Sequence, residues 1–278
     1  MPLTDLTTVA AASREAGKGL GAFNVVQLET AQVLVDAATA AGRPVVLQVS
    51  QNAVKYHGGH LAPIGRATIE VAKAAEIDAV VHLDHADDVD LIREAVGLGF
   101  TSVMYDGSHL PFEQNLATTI EVVEFCHAAG VTVEAELGEV GGKDGVHAPG
   151  VRTDPDDAAD FVAKTGVDLL AVAVGSSHAM TERSADLDLA LIERMAATVP
   201  VPLVLHGSSG VSDAGMVAAI RAGMTKINVS THLNVQFTAA VREYLAANPG
   251  AVDPRKYVAA GNTVVRAEVE RLLGLYAA

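Results

Sequence analysis

Eight short apolar runs, each followed by a longer amphipathic stretch, restrict this chain to very few architectures. The runs are GAFNVV (21–26), PVVLQVS (44–50), AVVHLDH (79–85), TSVMYDG (101–107), VTVEAELG (131–138), DLLAVAVGSSH (168–178), VPLVLHG (201–207) and TKINVS (225–230). Between them lie helical patterns such as ETAQVLVDAATAAG, IGRATIEVAKAAE, DVDLIREAVGLG and DPDDAADFVAKTG. Several close on glycine, a common helix stop. Asp154 and Ser212 stand where a side chain caps a helix start. Strands alternating with helices build βαβ units and a parallel sheet. Eight units predict an α/β fold, a (β/α)8 TIM barrel. It is expected to form a single domain over residues 1–278, with a helical extension from about His232 interrupted by NPGAVDPRKY. An open doubly wound sheet is disfavoured, because no GxGxxG follows the first run.

Composition removes several function classes. The formal net charge of −15 argues against a nucleic-acid partner. The single cysteine, Cys126, excludes an intramolecular disulfide and fits a reducing compartment, so a cytoplasmic location is expected. The N-terminus carries Asp5 and Glu15 and does not read as a signal peptide. No uncharged apolar stretch reaches the roughly 18 residues of a membrane span, so no membrane partner is expected.

The apolar runs end in polar residues. Asn24 ends the first and Ser50 the second. Asp84 and His85 end the third, and Asp106 the fourth. Glu134 and Glu136 lie in the fifth. His178 follows the sixth, His206 ends the seventh, and Asn228 with Ser230 ends the eighth. In a (β/α)8 barrel these ends meet at one face, where catalytic residues collect. One histidine closing a strand is an ordinary polar residue. Three at matching ends, with Asp84, Asp106 and Glu136 beside them, suit a catalytic zinc site that keeps one position open. Asp84 is placed either for proton transfer or for orienting its neighbour His85. Asp106 and Glu136 offer a second divalent-metal position or balance the charge of the first.

The loops HGSSGVSD and NVSTH follow the seventh and eighth runs, where such barrels bind phosphate on backbone N–H groups. The glycine-rich stretch GEVGGKDGVHAPGVR (138–152) reads as a lid. His82 lies inside a strand and points into the barrel. His57, His60, His109, His127, His147 and His232 receive no metal role.

The ordered set HLDH, SVMYDGS, VEAELGEVGG, LAVAVGSSH, LVLHGSSG and TKINVST resembles the class II, zinc-dependent fructose-bisphosphate and tagatose-bisphosphate aldolases. The likeness runs from GAFNV to DPRKY. It implies a lyase of carbohydrate metabolism that cleaves a ketose 1,6-bisphosphate, fructose 1,6-bisphosphate favoured, to dihydroxyacetone phosphate and glyceraldehyde 3-phosphate. Tagatose 1,6-bisphosphate, or another phosphorylated ketose, is the alternative substrate. By motif, Asp84 is implied as the catalytic acid/base and His85, His178 and His206 as zinc ligands. Asp106 and Glu136 are implied at an alternative or second metal position, and a monovalent cation has a place in the site. Gly207, Ser209, Asn228, Ser230 and Thr231 are implied to hold the dihydroxyacetone phosphate half, with Asn24 and Ser50 lining the pocket. Arg255 is implied to reach the second phosphate in a neighbouring subunit, which requires a homodimer or homotetramer.

Three departures bear on function. The family's mobile loop usually reads GGxED, whereas this chain reads GGKDG, which leaves Asp144 as the nearest proton-exchanging residue. Ala179, Met180 and Thr181 replace the family's Gly and basic or Tyr residues after His178. Ser230 stands where fructose-specific members often carry Asp. Three rivals compete. A barrel metallohydrolase would show an HxH pair near the first run, which instead reads GAFNVV. A Schiff-base aldolase needs a lysine at a strand end, whereas Lys226 begins its strand. The altered loop also permits a barrel that binds a sugar phosphate without turning it over.

Overall fold

The structure, a computed structural model, describes residues 2–138, 152–178 and 180–278. Its strands are β1 (Leu20–Asn24), β2 (Val45–Ser50), β3 (Ala79–Ala86), β4 (Ser102–Tyr105), β5 (Thr132–Leu137), β6 (Leu169–Val172), β7 (Leu203–Leu205) and β8 (Met224–Val229). They form a closed parallel barrel in sequence order, with β8 pairing back onto β1. The helices are α1 (Leu6–Glu15), α2 (Leu28–Ala41), α3 (Gln51–Tyr56), α4 (Leu61–Ala74), α5 (Val89–Leu98), α6 (Phe112–Ala128), α7 (Pro155–Thr165), α8 (Leu189–Thr198), α9 (Asp213–Ala222), α10 (Thr231–Ala247) and α11 (Pro254–Tyr276). The expected caps are in place: Asp154 accepts from the N–H groups of Asp156 and Asp157, and Ser212 from that of Gly215. No helix among the described residues is long and apolar enough to cross a membrane.

Side chains alternate across each strand, so one set faces the helices and the other fills the barrel. Phe23, Leu47, Val81, Val133, Leu170 and Ile227 belong to the outer set. They pack with Leu34, Ile64, Ile92, Phe161 and Ile192 of the surrounding helices in one continuous core. Leu20, Ala22, Val46, Val80, Leu169, Ala171 and Val204 belong to the inner set. They form a second apolar cluster that includes Leu6, Val9 and Ala10 of α1. The N-terminal helix is thus the floor of the barrel.

Four strands stop two or more residues short of their runs: β1 ends at Asn24, β4 at Tyr105 and β7 at Leu205, each two residues early, and β6 ends at Val172, well before His178. Beyond β7 the chain leaves the ladder, and the His206 carbonyl accepts instead from the Ser176 hydroxyl at 2.6 Å. The C-terminal extension is the helical pair α10 and α11. Helix α11 closes over β1: the Gly19 N–H donates to the Tyr276 carbonyl at 2.9 Å. Gly21 has no room for a side chain, because Leu273 and Phe23 lie within 2.8 Å of where a Cβ would stand.

Candidate active site

Following the inner positions upward from the floor shows how this sequence builds a site. Above Leu20 and Ala22 comes Asn24. Above Val46 come Gln48 and Ser50, and above Val80 come His82 and Asp84. Above Thr132 come Glu134 and Glu136, above Val204 comes His206, and above Lys226 comes Asn228. With a period of two, one strand carries an apolar floor residue, a buried polar residue and a reactive residue at the mouth.

His85 breaks this rhythm, since a residue next to inward-facing Asp84 should point outward. It has φ 49°, the one positive φ outside glycine among the described residues, and the β3–β4 register shifts between Leu83 and Ala86. This kink turns two consecutive side chains toward the same mouth. Backbone held in this sparsely populated region is costly and collects at functional sites.

His85, Glu136, His178 and His206 then converge. One ligand atom from each lies within 4.8 Å of all the others. The His85 ring centroid is 4.9 Å from that of His178 and 4.4 Å from that of His206. Three imidazoles and one carboxylate make a donor set that suits zinc and related transition metals. Asp106 lies beside this group: its carboxylate accepts from His85 Nδ1 at 2.9 Å and from the Ser108 hydroxyl at 2.7 Å.

Asp84 is buried at the centre. Asn228 Nδ2 donates to its Oδ1 at 3.2 Å and Asn24 Nδ2 to its Oδ2 at 3.4 Å, while Gln48 Nε2 donates to Asn24 Oδ1 at 3.1 Å. Burial by itself would raise the Asp84 pKa. The positive field of His85, Lys226, His206 and His82 outweighs it and holds the carboxyl below its usual range. Asp84 is therefore held in its ionised form. His206 shows the opposite balance: burial lowers its pKa, but hydrogen bonds to Glu134 and Glu136 push it up to about 9.

The mouth opens into a cleft of about 720 Å³ lined by Asn24, Ser50, Asp84, His85, Asp106, His178, Gly207, Ser209, Asn228, Ser230 and Thr231, among others. Gly207, at φ 65°, opens a short 3-10 turn over Ser208–Gly210. Ser230 and Thr231 form the start of α10, which has no side-chain cap. The two loops are tied together where Ser209 Oγ accepts from the His232 N–H at 3.1 Å and the Ser208 hydroxyl donates to the Asn228 carbonyl. The N–H groups at this helix start that Ser209 does not engage face the cleft, a candidate position for an anion. A methyl group on Gly207 would lie 2.6–2.7 Å from the backbone of Ser177, next to His178. Gly207→Ala is expected to lower stability by at least about 1–2 kcal/mol from the left-handed backbone alone and to reduce bound zinc by displacing His178. Thermal melting and metal analysis of the purified variant check both.

Other expectations are distributed as follows. Ser50 lines the cleft, and its Oγ also accepts from the Ala53 N–H at 3.1 Å as the cap of α3. Arg255 lies away from the cleft at the start of α11, with its side chain 89% exposed and paired with Asp253 at 2.8 Å. Asp144, Ala179 and nearly all of the proposed lid (139–151) lie outside the described residues. His109 and α3 residues Gln51, Lys55 and Tyr56 also line the cleft, which the sequence reading missed. Only the brevity of the gap between a strand-ending Ser50 and Tyr56 hints at this placement. Sequence reading also placed Glu134 with the mouth residues. The structure puts it one layer lower, fully buried beside Lys226 and His82.

Comparison with known proteins gives the same picture. The fructose-bisphosphate aldolase of Geobacillus stearothermophilus is 40% identical over 258 residues, covering 90% of this chain and 88% of that one. The fructose-bisphosphate aldolase of Staphylococcus aureus strain Mu50 is 37% identical over 281 residues, covering 97% and 96%. The crystal structure of the YdjI aldolase from Escherichia coli K12 superposes with a TM-score of 0.85 at 31% identity, covering 99% of this chain and 97% of that one. The family model described as fructose-bisphosphate aldolase class-II matches residues 4–278. This barrel, whose mouth gathers three histidines, a glutamate and an ionised aspartate, belongs to the class II fructose-bisphosphate aldolase family.

Proposed function

We propose that this protein reversibly cleaves fructose 1,6-bisphosphate between C3 and C4, with His85, His178, His206 and Glu136 holding one divalent metal ion, zinc by preference. The observation that carries this reading is the convergence of those four donors, with His85 and His178 lining the cleft that also contains Asp84 and the loops after β7 and β8. Bound there, zinc supplies Lewis acidity to the ketose carbonyl.

The chain's own residues do the rest. The loops after β7 and β8, through Gly207, Ser209, Ser230 and Thr231, hold the phosphate on C1 and so set the distance of the reacting carbons from the mouth. Asp84 takes the proton of the C4 hydroxyl. Its ionisation, and the two amide donors that fix its oxygens, prepare it for that step. Asn228 lies between Asp84 and His206 and donates toward the charge that develops when the bond breaks. Asp106 orients the His85 ring through Nδ1, as outer carboxylates do for metal-bound histidines. Arg255, exposed on α11, is available to the second phosphate in a neighbouring subunit's cleft, which fits a homodimer or homotetramer.

The test is to offer fructose 1,6-bisphosphate and tagatose 1,6-bisphosphate side by side, with and without a chelator, following triose phosphate by coupled NADH oxidation. Cleavage of the fructose ester that a chelator removes and zinc restores is the expected result. Faster cleavage of the tagatose ester would reassign the substrate. Failure to cleave either by a zinc-loaded protein would overturn the reading.

A further inference from the structure

Directly beneath the metal position lies a layer of charge that the reaction does not use. Glu134, His82 and Lys226 are fully buried inside the barrel. Glu134 divides its two oxygens: Oε1 is 3.0 Å from His206 Nε2, and Oε2 is 2.8 Å from Lys226 Nζ. His82 Nε2 lies 3.8 Å from the same Oε2, and its Nδ1 is 2.8 Å from the Ser102 hydroxyl. We propose that Glu134, held in place by Lys226, is a positioning residue that fixes His206 in the tautomer presenting Nδ1 to the metal. The inference rests on the reading that His206 is a metal ligand.

A carboxylate 3.0 Å from a ring nitrogen requires a proton on that nitrogen, because two lone pairs would otherwise face each other. Lys226 Nζ stands 2.8 Å from Oε2, so the other oxygen of the same carboxylate faces a cationic donor. Nε2 therefore keeps the proton it donates to Glu134 when a metal bound among the four donors would displace the one on Nδ1. That nitrogen faces Glu136 at 3.1 Å, on the side of the four-donor group. Asn228 Nδ2 also passes 3.1 Å from Nε2, but its donated hydrogen bond goes to Asp84. A buried ion pair is a poor source of stability, since apolar residues of similar size commonly do as well. Here the layer just below is already apolar. What Lys226 and Glu134 add is a fixed ring orientation, the role outer carboxylates play for metal-bound histidines.

Removing Glu134 alone would strand the Lys226 ammonium in the core, so both partners are changed together. In E134L/K226M the acceptor is lost. In E134Q/K226M the amide oxygen still accepts from Nε2. Zinc affinity is measured for each by competition with a chromogenic chelator, with circular dichroism as the check of folding. The leucine variant is expected to bind zinc roughly 10–100-fold more weakly, and the glutamine variant to recover to within a few-fold of wild type. Wild-type affinity in both, or equal weakness in both with native spectra, would overturn the proposal. The unaltered protein gives a second readout that needs no refolded variant. In ¹H–¹⁵N spectra of the zinc-loaded chain, His206 should show a protonated Nε2 and a metal-shifted Nδ1. The reverse pattern would also overturn it. Failure of the wild type to bind zinc would sink the metal reading itself and is seen separately.

Discussion

Asp84→Ala is expected to lower kcat for ketose bisphosphate cleavage by roughly 10²–10⁴-fold, the range for loss of a positioned acid or base. Zinc content should stay at the wild-type level. Asp84 is outside the four-donor group, and its own hydrogen bonds run to Asn24 and Asn228. Asp84 lines the cleft together with Asn24 and Asn228, so the amides it leaves reach solvent and folding should survive. KM should change little, because the phosphate loops are untouched. The informative comparison is single-turnover chemistry in the zinc-loaded variant against total metal. Near-wild-type turnover would show that another group takes the proton. Loss of zinc along with turnover would show that Asp84 acts mainly by orienting His85.

His206→Ala and His178→Ala should part company in an instructive way. Both remove a donor from the group and should abolish chelator-sensitive activity. His178 sits at the rim and is only partly buried, so its loss should leave thermal stability close to wild type. His206 is fully buried between Glu134 and Glu136, at 3.0 and 3.1 Å. Without its ring two carboxylates face each other across a cavity, and breaking a buried ion pair in this way costs about 3–5 kcal/mol. Chemical denaturation of the metal-free proteins measures the difference. Equal stability of the two variants would mean that water fills the His206 site and screens the carboxylates.

The strands, their order and most of the mouth were legible in the sequence for a physical reason. A parallel barrel buries both faces of every strand, so the runs are apolar until they reach solvent, and polarity begins where function begins. Three features could not be read this way. Lys226 and Glu134 interrupt apolar runs well before the strand ends, and their partnership depends on closure of the barrel, which brings β8 and β5 across from each other. Asp84 and His85 are consecutive, and strict alternation would send one of them to the outer core. Only the left-handed backbone at His85 reconciles the pair. The floor is contributed by α1, whose sequence carries no signal beyond ordinary amphipathicity.

Closure by α1 makes the barrel a cup, not a tube. Sugar bisphosphate, both triose products, water and metal must all pass the same rim. An incoming bisphosphate and a departing three-carbon fragment then exclude one another, so the two products must leave in turn. If the loops after β7 and β8 hold the dihydroxyacetone phosphate half, as proposed, that fragment goes last. Inhibition by dihydroxyacetone phosphate should therefore be competitive with the bisphosphate, and inhibition by the aldehyde should not. In the synthetic direction the same rim dictates that the ketone enters first.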